Sequence, residues 1–400
     1  MSESLPFPDC ETVVTEYADD YEYCGYTVAQ LGAVDLRPFA PLVGGECPTA
    51  GEILFLDTET TGLSGGAGTV AFLLGVGHFC KGGFIVKQYL MRDYDEEPAL
   101  LDNLSAELGG RDALVTYNGR AFDMNLLETR CIMNGMRLPQ TPRHIDLLRP
   151  ARRIWRRCLD NCRLTTIESV ILGEHRTDDI PGSQIPQVFF EFLETREWEA
   201  IQKVLQHNRL DILAMAAMLK YISDLIERTR GGSSYMTDGY HVAARVSSGL
   251  LCDRIAEELL GLAGFFHAIG DFENAERCLH KSMERKSPAI ARRALRILAE
   301  IKKREGKMQD AVGYWNNLLA YSPRTGVYPF IELSKYYEHK ARDYATAKKY
   351  ADQAHMLASA PVFRDTGARL EIEARRDRLG RKIANQGGKR KPREKKAEGQ

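Results

Sequence analysis

The sequence predicts a mixed α/β domain, its sheet flanked by helices, followed by an all-helical region. Three observations carry this. β-rich runs alternate with helically spaced apolar residues up to about residue 228, only helical patterns follow beyond about Leu251, and a 400-residue chain exceeds one average domain. With 44% hydrophobic and 27% charged residues, each part can bury a core of its own.

The expected domain spans residues 49–228. From Glu52 the runs EILFLD, TVAFLLGVG and GFIVKQYL are separated by Gly-rich turns short enough for an antiparallel meander. Helical spacing over residues 96–107, the β-rich ALVTY at 113–117 and helical spacing again over 122–133 imply a crossover to a parallel strand, so the sheet is mixed. A short apolar run at 145–148 follows, then a helical stretch over 164–225 interrupted by the DDIPG turn at 178–182. The GGSS at 231–234 marks a linker within 229–250.

Residues 251–378 repeat with a 36-residue step that pairs Gly270 with Gly306, Asp271 with Lys307 and Ala275 with Ala311, and Asp343 and Ala347 continue it. The segments GDFENA, GKMQDA and RDYATA resemble the inter-helix turns of tetratricopeptide repeats, with Trp315 at a large packing position and Pro323 near a repeat end. A small residue is needed where two helices approach closely. The third copy departs from the pattern, with Arg342 in the glycine position and one residue inserted. A plain helical bundle is the alternative; an all-α tetratricopeptide-like solenoid accounts for several positions keeping phase together.

The net charge of −1 hides an uneven distribution. Residues 1–48, set apart as an acidic N-terminal segment, carry nine acids against Arg37, whereas residues 379–400 read as a basic disordered tail. Tyr17, Tyr21, Tyr23 and Tyr26 in the acidic segment have no assignable role. Nine scattered cysteines, with Cys158 and Cys162 lacking metal or redox spacing, fit reduced thiols. No signal-peptide pattern opens the chain, and the longest apolar stretch, near Thr69 to Phe79, is broken by glycine and too short to span a bilayer. A soluble cytoplasmic protein without membrane partners is expected.

Asp57 and Glu59 end an apolar strand in DTETTG and, being two apart, project from one face. Two carboxylates so placed repel unless a cation shares them, although a polar strand-end turn would also use these residues. Asp123, in YNGRAFD, follows a strand and opens a helix, where an ordinary helix-start acid is an equal reading. His207 and Asp211, four apart in HNRLD, share one helical face; in isolation a solvated pair is the simpler account.

Taken in order, DTE, NGRAFD and HNRLD resemble the three motifs of the DnaQ-like 3′ to 5′ exonucleases, the DEDD nucleases of the ribonuclease H-like fold, over about residues 52–225. LFLDTETTGLSGG, YNGRAFDMNLLETR, HIDLLRPARRIWRR and HNRLDILAMAAML together look like the YprB-type ribonuclease H-like family, in which this domain is often followed by tetratricopeptide repeats. The resemblance implies a metal-dependent phosphodiesterase. Asp57, Glu59 and Asp211 would bind one Mg²⁺ or Mn²⁺, and Asp57 would bridge to a second that Asp123 helps hold. Two hard cations roughly 3.5–4 Å apart can activate a water and stabilise the leaving oxyanion, and carboxylates are suitable ligands for them. Related branches place a His five residues, or a Tyr four residues, before the last Asp; here the His stands four before. His207 is therefore the candidate to orient or deprotonate the attacking water.

Arg143, Arg149, Arg152, Arg153, Arg156, Arg157 and Arg163 cluster around Trp155, which makes a strand-binding face of phosphate-gripping guanidiniums and a stacking indole. An amphipathic helix salt-bridged to the acidic N-terminal segment is the alternative. LSGGAG at 63–68 reads as a tight turn beside the site rather than a nucleotide loop, and His144 and Asp146 as packing or supporting groups. The leading expectation is a 3′ to 5′ exonuclease on single-stranded RNA or DNA whose repeats bind a protein partner. An endonuclease on the same fold and a non-catalytic nucleic-acid-binding adaptor remain as alternatives.

Overall fold

Apolar alternation that gives way to continuous apolar runs places the central strands of a six-stranded sheet. The chain supplies β1 (Glu11–Ala18), a small hairpin of β2 (Glu22–Tyr23) and β3 (Tyr26–Thr27), then β4 (Ile53–Thr60), β5 (Ala71–Cys80), β6 (Gly83–Leu90), β7 (Ala113–Thr116) and β8 (Arg143–Asp146). The large sheet runs β1-β6-β5-β4-β7-β8. Along β1, β6, β5 and β4 each strand is antiparallel to its neighbour, whereas β4, β7 and β8 are parallel, so the meander and the crossover expected from the sequence are both present. This computed structural model describes residues 9–40, 48–62, 68–140, 142–231, 248–284, 287–321 and 326–388. It divides into two units, Met1–Leu251 and Cys252–Gln400.

Helices α1 (Val28–Gly32), α2 (Glu97–Leu108), α3 (Asp123–Met133), α4 (Leu148–Trp155), α5 (Leu164–Ile167), α6 (Ile185–Thr195) and α7 (Trp198–Arg230) flank the sheet, with a π turn at Glu168–Leu172 prolonging α5. Ile53 to Leu56 of β4 have no exposure at all, which is the burial of a central strand covered on both faces. Within the segment expected to stand apart at 1–48, residues 11–18 join the sheet instead: β1 pairs with β6 along its whole length, from Glu11 opposite Leu90 to Ala18 opposite Gly83. As an edge strand it half-buries one face only, which left an acidic composition masking its period of two.

The second unit is a run of helices: α8 (Ser248–Ala268), α9 (Phe272–Met283), α10 (Pro288–Arg304), α11 (Met308–Leu319), α12 (Tyr328–His339), α13 (Tyr344–Ala358) and α14 (Thr366–Gly388). From α9 onward each packs on the next. The 36-residue phase has a local cause. Gly270 and Gly306 take left-handed φ of 80° and 76°, Arg342 adopts φ 56° in the same position, and Ala275, Ala311 and Ala347 are fully buried. Asp271 and Asp343 cap α9 and α13 by accepting from the backbone N–H of Asn274 and Thr346. The tail expected to be disordered from residue 379 is instead helical as far as Gly388, because α14 packs on α13. Pro323, residues 232–247, most of LSGGAG and residues 389–400 lie outside the described residues. Among the described residues no helix is long and apolar enough to cross a membrane, and seven cysteines are free thiols.

Candidate active site

The site is built where β4 leaves the core. Thr58 and Thr60 stay buried while Asp57 and Glu59, on the opposite face, are partly exposed. A register shift between Glu59 and Thr60 ends the regular pairing with β5. Asp57 stands opposite Gly75 on β5, and Gly75 opposite Gln88 on β6, so the three share a face. The long helix α7 crosses that face. It can do so because β5 offers glycines there: a Cβ at Gly75 would fall 2.0 Å from Asn208 Oδ1, and one at Gly77 2.4 Å from Ile212 Cγ2.

Asn208 fills the space over Gly75 and joins its neighbours. Its Nδ2 donates to Asp57 Oδ2 at 2.9 Å, and its Oδ1 accepts from Gln88 Nε2 at 2.9 Å. Gln88 also donates to the Leu205 carbonyl at 2.7 Å, which ties the sheet to α7. The helix thereby brings His207 and Asp211 to the end of β4.

Asp123 arrives from the other side. The turn before α3 needs Asn118 at φ 69° and a glycine at 119, where a Cβ would lie 2.6 Å from Thr116. Asp146, at the end of β8, accepts from the backbone N–H of Asn118 at 2.9 Å and of Arg120 at 3.3 Å, fixing the turn. His144 Nε2 lies 2.8 Å from Thr116 Oγ1, and burial, assisted by Arg120, lowers its pKa to about 4, so it packs as a neutral ring. With its turn held, Asp123 opens α3 only 6% exposed and accepts the hydroxyl of Thr58.

Three elements thus bring four carboxylates close enough to act on one another. Burial raises Asp57 well above the usual carboxylate range, and Asp211, Glu59 and Asp123 raise it further. Burial does the same to Glu59, reinforced by Asp211, Asp123 and Asp179. Asp123 is pushed up to about 6, chiefly by burial.

Several partners of these groups have no motif to announce them. His207 Nδ1 lies 2.8 Å from Asp179 Oδ1, and its Nε2 lies 3.8 Å from Asp211 Oδ2. Arg176, 6% exposed at its side chain, reaches Asp211, Asp179 and Glu168. Tyr23 of the β2–β3 hairpin donates its hydroxyl to Glu168. In the sequence Asp179 stands only within the DDIPG turn, and Asn208 only between the motif residues of HNRLD.

The donor set suits a hard cation, since all four groups are carboxylates whose mutual repulsion a divalent ion would relieve. Among the described residues, no three His, Cys, Asp or Glu side chains form a preassembled cage. Asp211 faces Arg176, Asp57 faces Asn208 and Asp123 faces Thr58 instead.

The arginine cluster divides by helical phase. On α4 and just beyond it Arg149, Arg152, Arg153, Arg156 and Arg157 are exposed, as is Arg163 further on, whereas Arg143 is half-buried. Trp155 is fully buried, its ring 6.1 Å from that of Tyr221. It is a core residue of α4 and offers no surface for a base, which corrects the stacking role expected of it. Leu148, Ala151, Ile154 and Trp155 form the buried stripe of an amphipathic helix.

A model of the ribonuclease H superfamily matches residues 54–223. Over 336 residues, covering 83% of this chain and 75% of the other, the sequence is 32% identical to the uncharacterized protein YprB of Bacillus subtilis (strain 168). The chain belongs to the YprB-type ribonuclease H-like family. The ribonuclease H-like superfamily consists generally of hydrolytic nucleases, and in this YprB-type chain the matched span contains all four carboxylates of the site. Among solved structures, the family B DNA polymerase from the hyperthermophilic archaeon Pyrobaculum calidifontis aligns with 60% of this chain and 30% of its own, at 13% identity and a TM-score of 0.36.

Proposed function

We propose that the first unit is a metal-dependent phosphodiesterase acting as a 3′ to 5′ exonuclease on single-stranded RNA or DNA. The observation that carries this reading is the convergence of Asp57, Glu59, Asp123 and Asp211, from β4, α3 and α7, into one group in which the neighbouring carboxylates raise the pKa of Asp57 and Glu59. Asp57, Glu59 and Asp211 would hold one Mg²⁺ or Mn²⁺, and Asp57 with Asp123 a second. Bound there, the ions supply a lowered water pKa and charge stabilisation of the leaving oxygen. Asp179 favours the His207 tautomer with its proton on Nδ1, which leaves Nε2 with a lone pair on the side of Asp211. His207 can then take the proton of the attacking water.

The exposed Arg149, Arg152, Arg153, Arg156 and Arg157 suit the backbone phosphates of a strand. The second unit, read as tetratricopeptide-like repeats, would recruit a protein partner in the cytoplasm. The test is a panel of 5′-labelled and 3′-labelled DNA and RNA oligonucleotides with Mg²⁺ or Mn²⁺, run beside Asp57→Ala. A ladder shortening from the 3′ end, abolished in Asp57→Ala and strongly reduced in His207→Ala, is expected. Cleavage of a circular strand would make the enzyme an endonuclease, and an inert wild type would leave a nucleic-acid-binding adaptor.

A further inference from the structure

Arg176 is a buried cation facing this acidic site. It lies in the loop between the π turn after α5 and helix α6. Its Nε donates to Glu168 Oε2 at 2.7 Å and its Nη1 to Asp179 Oδ2 at 3.2 Å. Its Nη2 lies 2.7 Å from the same Glu168 oxygen and donates to Asp211 Oδ1 at 2.5 Å. Glu168 has a side chain 1% exposed and accepts the Tyr23 hydroxyl as well. The guanidinium is therefore anchored behind by a buried carboxylate and presents one edge to Asp211. Only Oδ1 of Asp211 is engaged by it; Oδ2 is directed toward His207.

We propose that Arg176 is a positioning residue that clamps Asp211 through Oδ1 and so presents Oδ2 to a divalent cation, an inference that rests on the metal-dependent reading above. The competing idea, that the guanidinium stands in for the cation and leaves when it binds, conflicts with its anchorage. Its departure would strand the buried Glu168 without a counter-charge. A guanidinium that cannot lose its proton and holds three carboxylates in a fixed fork is suited to remain in place. Hydrogen bonds to the second oxygen of a ligating carboxylate orient it and tune its affinity. Lysine, with a single point charge on a flexible stem, keeps the charge but cannot reproduce the fork.

The two ideas separate by sign. Mn²⁺ binding is measured on the full chain from the free-ion electron paramagnetic resonance signal, with circular dichroism verifying the fold. Wild type should bind, and Asp57→Ala should bind far more weakly. Arg176→Lys should bind roughly 10- to 100-fold more weakly than wild type. Arg130→Lys, which loosens another buried pair, Arg130 with Glu97, should bind as wild type does. Should Arg176→Lys melt at the assay temperature, Glu168→Gln is read in its place, with the same direction expected. Unchanged or tighter binding in the folded variant overturns the clamp while leaving the metal reading intact. Wild-type binding no stronger than that of Asp57→Ala overturns the metal reading, and the clamp with it.

Discussion

The crossing of α7 over β5 depends on a residue with no side chain, and Gly75→Ala measures that dependence. The new Cβ would lie 2.0, 2.7 and 2.8 Å from the Oδ1, Cγ and Nδ2 of Asn208. Asn208 is fully buried and bonded at both ends of its amide, to Gln88 and to Asp57, so it cannot rotate away without breaking one or both. Overpacking a filled interior costs about 1–3 kcal/mol. A buried polar group left without its partner adds about 1–3 kcal/mol. Together they destabilise the first unit by roughly 2–6 kcal/mol, a large fraction of the stability of an ordinary domain. Urea denaturation of the wild type and Gly75→Ala reads the difference; Gly51→Ala, where an added Cβ meets nothing within 4 Å, serves as the control. In a double-mutant cycle, Asn208→Ala should recover at least about 1 kcal/mol of the Gly75→Ala loss, because it removes the colliding amide. A Gly75→Ala loss below about 1 kcal/mol, or strict additivity in the cycle, would refute the packing argument.

In the second unit Glu338, 2% exposed, accepts from Arg378 Nε at 2.8 Å and Lys382 Nζ at 2.8 Å and from Arg375. Burial opposes its charge, but the hydrogen bonds from Arg378 and Lys382 outweigh it and hold the carboxyl at about 2. Because the folded value lies below the unfolded one of about 4.3, the stabilisation, of order 3 kcal/mol, is full above that pH and is lost as pH falls toward 2. Helical circular dichroism against pH should show Glu338→Gln less stable at neutral pH and flatter through this window; a profile parallel to wild type would contradict it. Single-stranded oligonucleotide binding should weaken steeply with salt, and Arg152→Ala and Arg156→Ala should each lower the logarithmic salt slope by about 0.7 if each contacts one phosphate. A flat salt response would remove the arginine face from the binding surface.

The meander, the crossover and the order of the carboxylate motifs were legible because each is written in local periodicity or spacing. The supporting contacts were not, because they join residues far apart in the chain. Asp57 meets Asn208 across 151 positions and Tyr23 meets Glu168 across 145. No local pattern distinguishes an asparagine that lies over a glycine from one on a solvated helix face. The glycines of TVAFLLGVG did carry a signal, since Gly75 and Gly77 alternate on the face that α7 covers. The burial of Trp155 is written in the phase of α4: positions 148, 150, 151, 154 and 155 are buried, and the arginines hold the exposed side. Arg342 illustrates the opposite case, where a departure from the repeat pattern left the backbone conformation unchanged at φ 56°.

The placement of β1 bears on solubility. Its pairing satisfies the outer edge of β6 over eight residues, and Glu16 puts a charge on the new rim while Glu11 pairs with Arg92. Charged side chains on an edge strand discourage a second sheet from docking there. A shortened chain beginning after Ala18 would present β6 as an open edge with Ile85 and Val86 in its middle, and would be prone to pairing with copies of itself. The segment set apart in the sequence by its acidic composition thus contributes, in β1, the strand that closes this edge of the sheet.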